Sequence, residues 1–383
     1  METAITRAEI ADLTAQLVGI DSTNPDLVPG GAGEGAISAF VASWLGDRGI
    51  DVETHDASPG RPNVVGVVRG SGGGKTLMLN AHVDTVGAGG MGDPFDPQIE
   101  GNRLYGRGAY DMKASLAAIM LAATRAQAAG LRGDLIVTAV ADEEFASVGT
   151  QAIVDRYKAD AAIVTEPTDL AMCLAHKGFV WLDIATHGTA AHGSLPEDGI
   201  DAIVKMARVL TGIGELDHRL RAACPQPLVG TGSVHASLIS GGTELSTYPD
   251  LCRVHIERRT VPGETPAAVE AEFRQMIAAG ASQDSTFRAD LTMGISREPF
   301  HVSDTLPIVR LLREVATTHL GRVPATIGAG GWMDSALLSA AGIPTVIFGP
   351  TGEGAHADVE WVDLDSAATC ANILTAVATA FCG

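Results

Sequence analysis

From residue 61 to residue 178 the chain alternates short apolar runs with helix-length patterns, and that alternation limits what it can fold into. The runs "NVVGVVRG", "KTLMLNAHV", "DLIVTAVADEE" and "AAIVTEP" are apolar at their centres and bounded by Gly, Pro or charge. They show no polar alternation, so each reads as a strand covered on both faces. Helical spacing occupies residues 5–20 and 34–48 ahead of them. Between them lie a hairpin-like piece, "IEGNRLYGRGA", a helix in "YDMKASLAAIMLAATRAQAAG" ending at Gly130, and a shorter helix near 149–157. Strands alternating with helices predict an α/β domain with a mainly parallel sheet flanked by helices.

After about residue 178 the pattern changes. "FVWLDIATHG", "TGSVHASLISG", "LCRVHIERRT" and "TFRADLTMGI" alternate apolar with polar residues, as strands with one wet face do. Helical patterns near 199–212 and 264–280 lie between them. From about 294 the alternation of strand and helix returns, with the helix "LPIVRLLREVATTHLG", the segment "MDSALLSAAG", the strand "PTVIFGP" and a final helix from about 364. A length of 383 residues suits two domains. The simplest division is an α/β domain built from 1–178 and 294–383, with an α+β domain inserted over 179–293.

The formal net charge of −20 argues against nucleic acid and anionic membrane as partners. Five dispersed cysteines with no C-x-x-C pair argue against a disulfide framework and for a reducing, cytoplasmic setting. The N-terminus, "METAITRAEIADL", carries Glu2, Glu9 and Asp12 and lacks the apolar core of a signal peptide. "LAAIMLAA", between Lys113 and Arg125, is too short to span a bilayer.

Functional groups of open α/β sheets gather at the carboxyl ends of the strands. His82 and Asp84 follow "TLMLNA"; Asp111 stands at the start of the 112–129 helix. Glu143 and Glu144 end "LIVTAVAD", Glu166 ends "AAIVT", and His356 follows "TVIFG" across a glycine-rich loop. Two imidazoles with several carboxylates are ligand chemistry for zinc-like ions. One ion needs only three such groups, and the surplus points to two ions sharing a carboxylate. Asp111, Glu144, Glu166 and a hydroxide would balance two divalent charges, as a half-buried site requires. Asp84, two residues beyond His82, is placed to accept the other imidazole N–H and fix the ligating tautomer. Of the adjacent Glu143 and Glu144, one can hold metal while the other serves as general base.

Taken in order, "HVDTV", "GRGAYDMK", "DEE", "TEP", "GTAAHGSLPEDGIDAI", "ERRTVPGE" and "IFGPTGEGAHADVEWV" resemble the di-zinc aminoacylase/carboxypeptidase family. Its members include acetylornithine deacetylase, succinyl-diaminopimelate desuccinylase, aminoacylase and the glutamate-releasing carboxypeptidase. The resemblance implies that His82, Asp111 and Glu166 hold one zinc and His356, Asp111 and Glu144 the other, with Asp111 bridging. It implies that Glu143 is the general base and then the general acid, and that the Asp111–Met112 peptide is cis. It makes the inserted domain a lid and dimerisation module, whose His192 reaches the partner subunit's site to steady the oxyanion and whose Arg259 binds the substrate carboxylate. The chain departs from the family where Ser246 stands for a common Asn and Glu257 for a common Asp. "GGWMDSA" is bulkier than the usual Gly-Gly-Thr-Asp-Ala.

The expected activity is metal-dependent removal of an acyl group from an N-acyl amino acid, with zinc and with cobalt or manganese as substitutes. A carboxypeptidase or dipeptidase acting on short peptides is the alternative among enzymes. A non-catalytic binding relative is the alternative outside them, and retention of Glu143 with the full ligand set argues against it.

Overall fold

A computed structural model describes residues 4–383, so Glu2 of the charged N-terminus lies outside the described residues. The chain divides into two compact units. The larger runs to Leu174 and resumes over Val302–Ile327 and Met333–Gly383; the smaller comprises Ala175–His301 and Gly328–Trp332.

The sheet of the larger unit is parallel at its centre. Leu77–His82 lies between Leu135–Val140 and Ala161–Val164, parallel to both, and Thr345–Ile347 continues the parallel series. Every residue of Leu77–His82 and of Leu135–Val140 is buried, as their unbroken apolar runs require. Within them Asn80 and Thr138 are polar and bond to each other: the Asn80 amide nitrogen donates to Thr138 and also to Thr150. Because these strands run the same way, their carboxyl ends share one rim.

Towards the edges the pairing turns antiparallel, which makes the sheet mixed. Arg61–Val68 pairs antiparallel with Leu135–Val140, and Met172–His176 pairs antiparallel with Thr345–Ile347. Arg61–Val68 is buried on both faces although antiparallel, so an all-apolar run marks coverage and not direction. The edge strand Asp51–Ser58, "DVETHDAS", has no apolar run and was not legible as a strand. Its charges suit an edge that must not pair further.

Alanine-rich Ala114–Ala129 packs closely against Leu364–Cys382, which also meets Pro307–Leu320 and Arg7–Val18. Leu364–Cys382 is long and apolar enough to cross a membrane by length and composition; here its apolar residues are core. At the other end of the chain Thr6 and Glu9 form a capping box that starts Arg7–Val18.

The smaller unit is a four-stranded antiparallel sheet in the order Ser233–Gly241, Leu251–Thr260, Gly178–His187, Arg288–Arg297. Helices Ala202–Ala222 and Pro266–Gln283 cover one face, where Val180, Leu182, Ile184, Val254 and Ile256 meet Met206, Val209 and Phe273. The period-two alternation of these strands follows from that one-sided cover. Ser233–Gly241 is an edge strand with Leu238 and Ile239 exposed.

Candidate metal centre

Three backbone segments deliver one half of the rim cluster, His82, Asp111 and Glu166. His82 is the last residue of its strand and fully buried. Its Nδ1 lies 2.9 Å from the main-chain oxygen of Asp84, leaving Nε2 free to point outward, 3.1 Å from Asp111 Oδ1 and 3.8 Å from Glu166 Oε1. In the other half His356 Nε2 lies 3.5 Å from Asp111 Oδ2 and 3.0 Å from Glu144 Oε2. Two ligand atoms on one tetrahedral ion with bonds of about 2.1 Å stand roughly 3.4 Å apart. Within each trio, His82–Asp111–Glu166 and Asp111–Glu144–His356, all donor atoms lie within 4.8 Å of one another. Asp111 thus turns one carboxylate oxygen to each imidazole.

Close backbone approaches make this possible. A Cβ on Gly349 would collide with the Glu166 carbonyl oxygen, so only glycine lets the loop after Thr345–Ile347 pass beside Glu166 on its way to His356. Gly108, at φ +79°, turns the chain into the irregular segment Ala109–Lys113 that precedes the helix Ala114–Ala129. The Asp111–Met112 peptide is cis. Lys113 is buried, and its Nζ donates to the Ile20 carbonyl at 2.7 Å.

The electrostatics are those of a site short of positive charge. Burial, with Glu166 next, pushes Glu143 well above the usual carboxylate range. Burial likewise raises Glu166 and, with Asp111 beside it, Glu144. For His82, burial opposes the charged form, but Asp111, Glu166 and Glu143 outweigh it and the imidazole holds its proton far more tightly than usual. His356, 54% exposed at its side chain, is raised to about 10 by its bonds to Asp111 and Glu144. Asp111 alone is driven down, because the two imidazoles overcome its burial. Protons occupy positions that divalent cations would otherwise compensate. The Oε1 of Glu144 is buried with no hydrogen-bond partner. The donor set and this orphaned oxygen fit a pair of cations.

Asp84 does something other than the expected contact. The strand ends at His82, so Asp84 does not return to the imidazole's face. Its Oδ1 is 3.6 Å from His82 Nδ1, and the main-chain oxygen makes the bond. The carboxylate instead accepts the amides of Glu143 and Glu144 at 3.1 and 3.2 Å, fixing the turn that carries both acids. Behind that turn is a network that the sequence did not disclose. Asn24 Nδ2 donates to Asp84 and Asp142; Arg61 donates to Asp142 at 2.9 Å, to both oxygens of buried Glu34 and to Asp26. The one sequence signal was Arg61, a charge directly ahead of an apolar run. Asp334 makes no helix-cap bond; it accepts from Thr150 at 2.7 Å, and burial raises it to about 7.

His192, Ser246 and Arg259 lie in the smaller unit. His192 is exposed, with Nδ1 2.7 Å from Ser194 Oγ, and it bridges to Thr247, so Ser246 is its neighbour through the Gly193 amide. Arg259 sits on Leu251–Thr260, paired with Glu257 at 3.0 Å and stacked 5.5 Å from the Phe179 ring centre.

A family profile described as "Peptidase family M20/M25/M40" matches residues 78–380. The chain belongs to that peptidase family. It is therefore a hydrolytic enzyme, and its rim carries two trios of side chains that could each hold a metal ion. Among curated relatives, it is 29% identical to N-formyl-4-amino-5-aminomethyl-2-methylpyrimidine deformylase of Bacillus subtilis (strain 168), over 94% of this chain and 91% of that protein. It is 28% identical to acetylornithine deacetylase of Myxococcus xanthus, over 90% of this chain and 88% of that protein. Among solved structures, a tripeptidase from Staphylococcus aureus subsp. aureus Mu50 superposes with a TM-score of 0.81 at 20% identity, covering 99% of this chain and 100% of that one. A dinuclear metal-binding peptidase of the M20 family from Bacillus subtilis gives a TM-score of 0.75 at 16% identity, covering 98% of each. These structural likenesses establish the fold.

Proposed function

We propose that the chain is a two-metal amidohydrolase that removes the acyl group from an N-acyl amino acid. The observation that carries this reading is Asp111, whose two oxygens face His82 and His356, each with its own further carboxylate, Glu166 or Glu144. His82, Asp111 and Glu166 would hold one ion; Asp111, Glu144 and His356 the other. Zinc suits this donor set best, with cobalt or manganese as substitutes. When bound, such ions supply Lewis acidity to the amide carbonyl and to the attacking water.

The rest is the work of the chain. Glu143, beside the ligands and held by Asp84, takes a proton from the water as its oxygen bonds to the acyl carbon. The same carboxyl then protonates the amine nitrogen as the C–N bond breaks. Asp84 orients His82 through its main-chain oxygen and Glu143 and Glu144 through its carboxylate. From the resemblance, we assign Arg259 and Ser246 to substrate binding, His192 to the oxyanion, and the smaller unit to lid and dimer formation. The exposed apolar edge strand Ser233–Gly241 supports a homodimer through that edge. Five free cysteines, four of them buried, support a reducing cytoplasmic setting.

Hydrolysis of a short peptide by the same centre is the second reading, favoured by the peptidases among the structural neighbours. A panel of N-acetyl, N-formyl and N-succinyl amino acids and of dipeptides, run with zinc and with cobalt after chelation, separates the two. The deacylase reading expects turnover of an N-acyl amino acid above that of any dipeptide. Dipeptides as the better substrates would refute it, and no turnover across the panel would favour a binding protein.

A further inference from the structure

Glu360 makes an unusual set of bonds. It is 1% exposed, and its carboxylate accepts four donors from one short stretch of chain. Oε2 takes Arg107 Nη1 at 2.7 Å and the Gly108 amide at 2.9 Å; Oε1 takes the amides of Tyr110 at 2.9 Å and Asp111 at 3.0 Å. Arg107, equally buried, donates its other terminal nitrogen to the Ala357 carbonyl at 2.9 Å. One buried ion pair thus fastens the segment presenting Asp111 to the loop presenting His356.

We propose that the Glu360–Arg107 pair is a positioning device for the His356 half of the metal centre, a role that rests on the two-ion reading above. The halves are supported unequally. His82 and Glu166 leave strands of the sheet and keep their places without Glu360. Only Asp111, one donor of that three, depends on the clamp. In the other half both Asp111 and His356 depend on it, and only Glu144 has separate support, from Asp84. The His356 side chain is half exposed, and the residue has a positive φ of 63°. Losing the clamp therefore removes the support of two donors in one half and of one in the other.

Glu360→Gln is the informative change, because it is nearly isosteric. Each carboxylate oxygen meets two N–H donors, so an amide satisfies one side and sets its own NH2 against the two donors on the other. Arg107→Lys keeps the charge but cannot reach Glu360 and Ala357 together in a fork, and it carries the test if the first variant does not fold. The metal-free proteins are titrated with zinc and cobalt by calorimetry, with cobalt absorption read in parallel. Wild type is expected to bind two ions per chain. The variants are expected to hold the first ion within about threefold of wild type and the second about 10- to 100-fold more weakly. Variants that hold the second ion as tightly as wild type would overturn the proposal, as would equal weakening of both ions, which marks a general scaffold role. A wild type that binds a single ion would instead overturn the two-ion reading itself.

Discussion

Replacing Arg61 with methionine isolates the network behind the turn that carries Glu143 and Glu144. Arg61 donates to both oxygens of Glu34, at 2.7 and 2.5 Å, and to Asp142. Glu34 is fully buried, and burial already holds its carboxyl above the usual range despite Arg61. Asp142 keeps the Asn24 amide and the Val148 N–H after the change, whereas Glu34 loses both of the hydrogen bonds that Arg61 gives it. Breaking a buried pair on one side costs about 3–5 kcal/mol. Proton uptake limits the loss, since neutralising a carboxyl of ordinary pKa near 4.3 costs about 4 kcal/mol near pH 7 and about 1 kcal/mol near pH 5. The sign follows directly. In the variant, Glu34 has a folded pKa above its unfolded one, so it destabilises above the unfolded pKa, and the penalty fades as pH falls towards it. Urea unfolding of the metal-free chain should thus show a deficit of about 3–4 kcal/mol near pH 7 that shrinks to about 1–2 near pH 5. Adding Glu34→Gln to Arg61→Met should recover part of it. A deficit below about 1 kcal/mol near neutral pH, or one that does not change with pH, would refute the reasoning.

Other outcomes follow from the centre. Glu143→Ala should lower kcat by about 10²- to 10⁴-fold while metal content stays at the wild-type level; loss of metal along with activity would make Glu143 a ligand instead. Loading the metal-free enzyme should release protons, because His82, His356 and the raised carboxyls hold them at neutral pH. Metal affinity should then rise with pH, and calorimetric heats should depend on the buffer's ionisation enthalpy; identical heats in all buffers would contradict this. In the metal-free chain the stability drawn from His356 is present below about pH 6.5 and is lost as pH rises towards about 10, a loss that pH-dependent melting would show.

The rim itself was legible because its donors follow apolar runs that can only be central strands. His82, the Glu143–Glu144 pair and Glu166 were placed on the rim by that logic, and parallel pairing brings them together; that Glu144 is the one facing His356 was implied only by the family resemblance. His356 needed a loop to come back to the rim, which no periodicity signals. Its approach depends on Gly349 lying against the Glu166 backbone. What the sequence hid was support made from long-range polar contacts. Arg61 meets Glu34 and Asp142, and Glu360 meets Arg107, across separations that leave no local pattern. Asp84 was expected to face the imidazole by strand alternation, but the strand stops at His82 and its carboxylate turns to the Glu143–Glu144 amides. The antiparallel edges were hidden for a related reason: burial on both faces makes an apolar run whatever the direction of its neighbour.

Anomalous scattering from a crystal grown with zinc addresses the shared carboxylate most directly. Two peaks about 3.5–4 Å apart are expected, one beside each Asp111 oxygen, with His82 and Glu166 on the first and Glu144 and His356 on the second. A single peak, or two peaks of which neither touches Asp111, would contradict the account.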